Sequence, residues 1–149
     1  MTTAKRPGRG KAHLTPADYE TLASFRYGVR RYLAFAEANA RSVGLTSQQH
    51  QALLAIKVRT AKRPMSIGDL ATELLIKHHS TVELVGRLEK GGFTQRSVDP
   101  HDARKVLVAL TPVGEKLLAD LSTRNLRELR LISPAFSGLL GEVEKLSND

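Results

Sequence analysis

The chain has 149 residues and carries 23 Lys and Arg against 15 Asp and Glu, a formal net charge of +8. That length holds one compact domain, or a core with helical extensions, and 41% hydrophobic with 26% charged residues argues against wholesale disorder. No apolar run approaches the ~18 residues of a spanning helix, the basic stretch from Met1 to Lys11 lacks the apolar core of a secretion signal, and the absence of Cys excludes a disulfide scaffold, thiolate metal sites and a cysteine redox sensor; the expectation is a soluble cytoplasmic protein with no membrane partner.

Residues 1–13 read as a basic tail, with Lys5, Arg6, Arg9 and Lys11 set among Pro7, Gly8 and Gly10. Such a segment is either disordered and solvated or in transient contact with phosphate. Thr15-Pro16-Ala17-Asp18 offers an N-cap, a first-turn proline and an acid, opening a long helix on Leu22, Phe25, Val29, Leu33, Ala36 and Ala40 that stops at Gly44. Thr46 and Gln49 form a capping-box pattern for a second helix carrying Leu53, Leu54, Ile56 and Val58, bounded by Pro64. Its basic residues Lys57, Arg59, Lys62 and Arg63 fall in a stretch, Thr46 to Gly68, without Asp or Glu. The two basic blocks match the net charge and favour a polyanion partner, nucleic acid first, through counterion release.

Ser66 caps a short helix with Leu70, Leu74 and Leu75. After a turn near Ile76-Lys77, a helix with Thr81, Leu84, Val85 and Leu88 on one face runs to Gly91-Gly92, a left-handed stop. This order is that of a helix-turn-helix. Phe93 to Val98 then reads as a strand, Asp99 to Arg104 as a turn-rich tip and Lys105 to Leu110 as the returning strand, which together make a wing. Thr111-Pro112 caps a long helix with Leu117, Leu118, Leu121, Leu126 and Leu129, and Ser133-Pro134 predicts the start of a last one with Phe136, Leu139, Leu140, Val143 and Leu146.

The predicted fold is therefore mainly α with a small β-hairpin wing. A winged helix-turn-helix core, residues 45–111, is flanked by N- and C-terminal helices, residues 14–43 and 112–147, within a single unit spanning 14–149. The apolar faces of the end helices are surplus to that core. Each Leu or Phe withheld from water is worth ~1.5–3 kcal/mol, so the end helices either fold back onto the middle of a monomer or, more economically, pack against the same helices of a second copy. Two-fold symmetry would then present two reading helices to successive major grooves, ~34–36 Å apart.

Leu45-Thr46-Ser47-Gln48-Gln49, the run from Leu84 to Phe93 and above all the wing Asp99-Pro100-His101-Asp102-Ala103-Arg104 with the following Lys105 to Thr111 resemble the MarR family of bacterial transcription regulators. The resemblance covers most of the chain. It implies a homodimeric repressor on a pseudo-palindromic double-stranded operator, released in many members by a small, often anionic aromatic, effector; a nonspecific or architectural DNA-binding protein is the alternative.

On the second helix of the motif, a spacing of about 100° per residue turns His79, Val82, Glu83, Gly86 and Lys90 away from the apolar face, with Ser80 and Arg87 at its flank. Because the N-terminal part of such a helix reaches base edges, His78, His79, Ser80, Val82 and Glu83 are the candidate base readers, and Arg87 and Lys90 have phosphate or structural roles. Glu83 either accepts from a cytosine amino group or pairs with Arg87 four residues on. The family commonly has Asp where this chain has Gly86; the glycine costs ~1 kcal/mol against Ala in a helix interior, and close approach to the DNA backbone or simple drift would explain it. The resemblance makes Arg104 a minor-groove arginine and Asp102 the acid that orients it. Arg96 and Lys105 are candidate phosphate contacts, as is Ser66, whose plainer role is the N-cap.

Five of the seven aromatic residues, Tyr19, Phe25, Tyr27, Tyr32 and Phe35, lie on the first helix among Arg26, Arg30 and Arg31. They are either dimer core with a basic face or, as the family's effector position implies, a pocket in which Phe25, Arg26, Arg30 and His50 hold an aromatic carboxylate. Catalysis is not expected. Adjacent His78 and His79 splay apart on a helix and cannot share a metal, no H-E-x-x-H, Walker or G-x-S-x-G pattern occurs, and no cofactor is implied.

Overall fold

The structure, a computed structural model, describes residues 14–146. The basic tail expected at 1–13 lies outside the described residues, as do the last three positions. Along the chain run α1 (Pro16–Arg41), α2 (Ser47–Thr60), β1 (Met65–Ser66), α3 (Ile67–Leu74), α4 (His78–Lys90), β2 (Thr94–Val98), β3 (Val106–Leu110) and α5 (Pro112–Leu146). The strands form one antiparallel sheet in the order β1-β3-β2. The fold is thus mainly helical with a small β wing.

Three helices start on the same local device. At Thr15, Thr46 and Ser66 the hydroxyl accepts the amide of the residue three positions on, and that residue's side chain (Asp18, Gln49 and Asp69) accepts the cap residue's own amide. Two orphan donors are satisfied at each start. At the far end of α4, Gly92 takes a φ of +77°, the Phe93 amide donates to Leu88 O at 3.0 Å and the Gly92 amide to Glu89 O at 2.9 Å. This left-handed stop needs the glycine and swings the chain into β2.

The core gathers around α2. Leu53 and Ile56 meet Met65, Leu70, Val85, Leu88, Val108 and Leu121, all with essentially no solvent contact. Thr111 anchors α5 to the end of α4: its hydroxyl donates to Gly92 O at 2.5 Å and accepts the Gly114 amide at 3.1 Å. A side chain at Gly114 would collide with the Phe93 carbonyl, so the first turn of α5 can sit on the sheet only with glycine there. Further along, α1 and α5 are joined by a buried polar link. Asn39 Nδ2 donates to Leu121 O at 3.1 Å and Asn125 Oδ1 at 2.8 Å, while Arg124 donates to Asn39 Oδ1 at 3.0 Å.

The structure corrects two sequence expectations. Ser133-Pro134 starts no new helix; α5 runs unbroken through Pro134. Proline lacks the amide that would bond Arg130 O, and the Ser133 hydroxyl donates to that carbonyl instead, at 3.2 Å. The wing is also more than a hairpin, because Met65 and Ser66 pair with Val108 and Leu107 as a third strand. Two residues are too few to show the alternation by which strands are read.

Candidate nucleic-acid interface

α4 buries Thr81, Leu84, Val85 and Leu88, which turns His79, Val82, Glu83, Gly86 and Lys90 outward. Between α4, the start of α3 and the wing lies a hollow of about 360 Å³, lined by Ser66, Ile67, Gly68, His78, Val82, Arg96, Arg104, Lys105 and Val106. Six residues singled out at the α3 cap (Ser66), on α4 (His78 and Val82) and on the wing (Arg96, Arg104 and Lys105) therefore share one groove. His79, Glu83 and Arg87 are exposed beside it and Ser80 is half-buried at the helix flank.

The wing tip is organised by its own acids. The Asp99 amide donates to Lys105 O at 3.1 Å and the Lys105 amide to Asp102 O at 2.9 Å, closing the turn, while the His101 amide donates to Asp99 Oδ1 at 2.8 Å. Asp102 Oδ1 accepts both the Arg104 amide at 3.1 Å and Arg104 Nε at 3.2 Å. Those two donors, the backbone amide first, hold the Asp102 carboxyl below the usual carboxylate range. The Arg104 side chain is 92% exposed and projects from the molecule. A single exposed contact of this kind contributes little stability; its consequence is the direction in which the arginine points.

Three features of the charge arrangement are set by the fold. Arg96 is paired with Glu89 at 2.6 Å, so a phosphate would share or displace that carboxylate. No ion pair joins Glu83 to Arg87 among the described residues. The stretch from Thr46 to Gly68, acid-free in sequence, is partly neutralised in space: Lys57 meets Glu115 at 2.6 Å and Arg59 meets Asp69 at 3.3 Å and Glu73 at 3.4 Å. Ser66 is engaged as the α3 cap, exchanging hydrogen bonds of 3.0 Å with Asp69 in both directions. The Ser66 amide, followed by the Ser66 hydroxyl and the Arg59 charge, pulls the Asp69 carboxyl below its ordinary value.

Phe25, Arg26, Arg30 and His50, the candidate effector-holding residues, fall in two separate hollows. One, about 250 Å³, is lined by Phe25, Arg26, Val29 and Arg30. The other, about 570 Å³, lies between α1, α2 and α5 and includes His50, Tyr32, Ala36, Leu54, Asn125 and Leu129. His50 faces later turns of α1, and Phe25 is turned towards α5, where its ring meets Phe136 edge-on with centroids 5.5 Å apart. His50 is buried, its Nε2 lacks a hydrogen-bond partner, and burial pushes the imidazole's pKa down.

The sequence model of the MarR family matches residues 43–105, the segment that holds all of the groove's lining but Val106. The chain belongs to the MarR family. Among curated relatives, the transcriptional activatory protein BadR of Rhodopseudomonas palustris is 34% identical over 84 residues, 56% of this chain and 48% of BadR. The chain spans about half the length of the first curated relatives it matches. A "probable transcriptional regulator" from Pseudomonas aeruginosa is 30% identical, with a TM-score of 0.57 over 79% of this chain and 92% of that one. A point mutant of Staphylococcus aureus MepR bound to an oligodeoxyribonucleotide is 21% identical, with a TM-score of 0.64 over 91% and 98% of the two chains, a likeness of fold.

In this MarR-family chain the groove also contains residues that the sequence does not single out. Ile67, Gly68 and Val106 line it, and apolar residues beside a cap or at a strand start carry no local mark of that role. No group of three His, Asp or Glu side chains suited to a metal occurs among the described residues, and none of their helices is long and apolar enough to cross a membrane.

Proposed function

We propose that the chain is a sequence-specific double-stranded-DNA-binding transcription regulator, acting in the cytoplasm as a ligand-responsive homodimeric repressor on a pseudo-palindromic operator, and not an enzyme. The observation that carries this reading is the groove itself: an outward helix face and an arginine-tipped wing share one opening, with Ser66, His78, Arg96, Arg104 and Lys105 around it. In that role His78, His79, Ser80, Val82 and Glu83 read base edges in the major groove. Arg87, Ser66, Arg96 and Lys105 meet phosphates, and Arg104, oriented by Asp102, enters the minor groove.

The homodimer is supported by α1 and α5, which leave Tyr19, Leu22, Leu33, Leu131 and Leu140 exposed. For the effector, the 570 Å³ hollow beside His50 is the better-sized site. Its lining contains no Lys, Arg, Asp or Glu, which suits a neutral aromatic molecule better than the carboxylate that the family resemblance implies. The Arg26 and Arg30 hollow suits an anion but is less than half as large.

Titration of the protein against its own upstream intergenic DNA and a scrambled duplex, both at ~150 mM salt, tests the reading. Preference for the upstream duplex by ~10³ or more is the expected result. A ratio well below that would favour a nonspecific or architectural DNA-binding protein.

A further inference from the structure

We infer that Gly86 is a steric notch in α4 that admits the sugar–phosphate backbone of DNA closer to the helix than any side-chain-bearing residue would allow. The inference rests on the DNA-binding reading above. At about 100° per residue, Gly86 lies on the side of α4 that carries His79, Val82 and Lys90, opposite the buried Thr81, Leu84, Val85 and Leu88.

Nothing inside the protein requires glycine there. A Cβ built at Gly86 would meet no atom within 4 Å, whereas one at Gly28 would crowd the Phe136 ring, one at Gly91 the Phe93 ring and one at Gly114 the Phe93 backbone. The described glycines that need a left-handed backbone are Gly44 and Gly92; Gly86 has ordinary helical dihedrals. Glycine in a helix interior is destabilising relative to alanine, so the residue weakens α4 with no compensating contact in the free protein. Gly138 and Gly141 are equally open, but they lie on α5, whose exposed leucines are assigned to a second copy.

The position along the helix selects the partner. Only the first turns of a recognition helix reach base edges, and Gly86 is the ninth of the 13 residues of α4. Atoms that enter the notch therefore belong to the backbone, which carries no sequence information.

The test is a pair of variants, Gly86→Ala and Gly86→Leu, compared with wild type by thermal melting and by fluorescence-anisotropy titration on upstream and scrambled duplexes. Gly86→Ala should melt about 2–4 °C higher and bind DNA roughly tenfold more weakly. Gly86→Leu should bind more weakly still, and each variant should lose the same factor on both duplexes. Affinities within about twofold of wild type for both variants would overturn the notch, as would a lower melting temperature for Gly86→Ala. A loss confined to one sequence would overturn the assignment to the backbone. Wild-type protein that binds neither duplex would instead remove the DNA-binding reading, and the notch with it.

Discussion

Between α2 and β3 the largest apolar side chains (Leu53, Ile56, Met65, Leu70, Leu88 and Val108) are sealed from water, whereas along α1 and α5 the sealed ones are Ala40, Leu118 and Leu121, and Leu131 stands 76% exposed. The two regions are also joined differently. The α2–β3 lobe closes on interdigitated hydrocarbon, while α1 meets α5 partly through the Asn39, Asn125 and Arg124 link. Buried hydrogen bonds fix a register more than they add net stability. The contrast teaches that the lobe closes its largest side chains within one chain, although Leu75 stays exposed, whereas the helix pair leaves open the apolar surface that the proposed dimer would cover.

Breaking the lobe should cost most. Leu88→Ala removes a side chain with no solvent exposure and should destabilise by ~2–5 kcal/mol in urea unfolding; a loss under ~1 kcal/mol would mean that this core is not closed. On the helix pair the same kind of damage should spare the protomer and abolish assembly. Leu131→Asp with Leu140→Asp should keep the circular dichroism of the wild type but shift sedimentation from dimer to monomer, and operator binding should fall with it. A dimer that survives both charges would sink the interface assignment.

Smaller effects sharpen the contrast. Arg104→Ala should weaken operator binding about tenfold and leave sedimentation and melting temperature unchanged, because the side chain is almost wholly exposed; unchanged affinity would take the wing out of the interface. The smallest effect concerns the seam between the regions. Burial lowers the His50 pKa, so the unfolded chain takes up a proton at a higher pH than the folded one. Stability from this group is complete above the ordinary histidine value of about 6.5 and is lost as pH falls below it. Melting temperature should drop between about pH 7 and 5, and His50→Gln should flatten that drop; an equally steep profile in the variant would show that His50 is not the group responsible.

Much of the lobe is legible before folding because its determinants are local. Thr46 with Gln49 and Ser66 with Asp69 announce helix starts through residues three apart, Gly91-Gly92 announces a stop, and the apolar spacing of α4 fixes which side of that helix turns outward. Pro134 misleads because the residue that compensates for it, Ser133, reads equally well as a cap. Lys57 and Glu115 are 58 positions apart, so no window along the chain reveals that a block of basic residues is partly neutralised. His50 and Phe25 do not share a cavity, since cavity walls are set by which helix turns face one another.

Sequence by itself determined the helix boundaries around the motif, the outward face of α4, the arginine at the wing tip and the surplus of apolar surface at the ends, each through contacts within one or two helical turns or one hairpin. Tertiary structure alone decided that Ser66, His78, Val82, Arg96, Arg104 and Lys105 line a single groove, and that Phe25 and His50 line different hollows. Those outcomes depend on how separate elements cross and how closely they pack, and the side chains that set the crossing lie tens of residues from the ones whose surroundings it fixes.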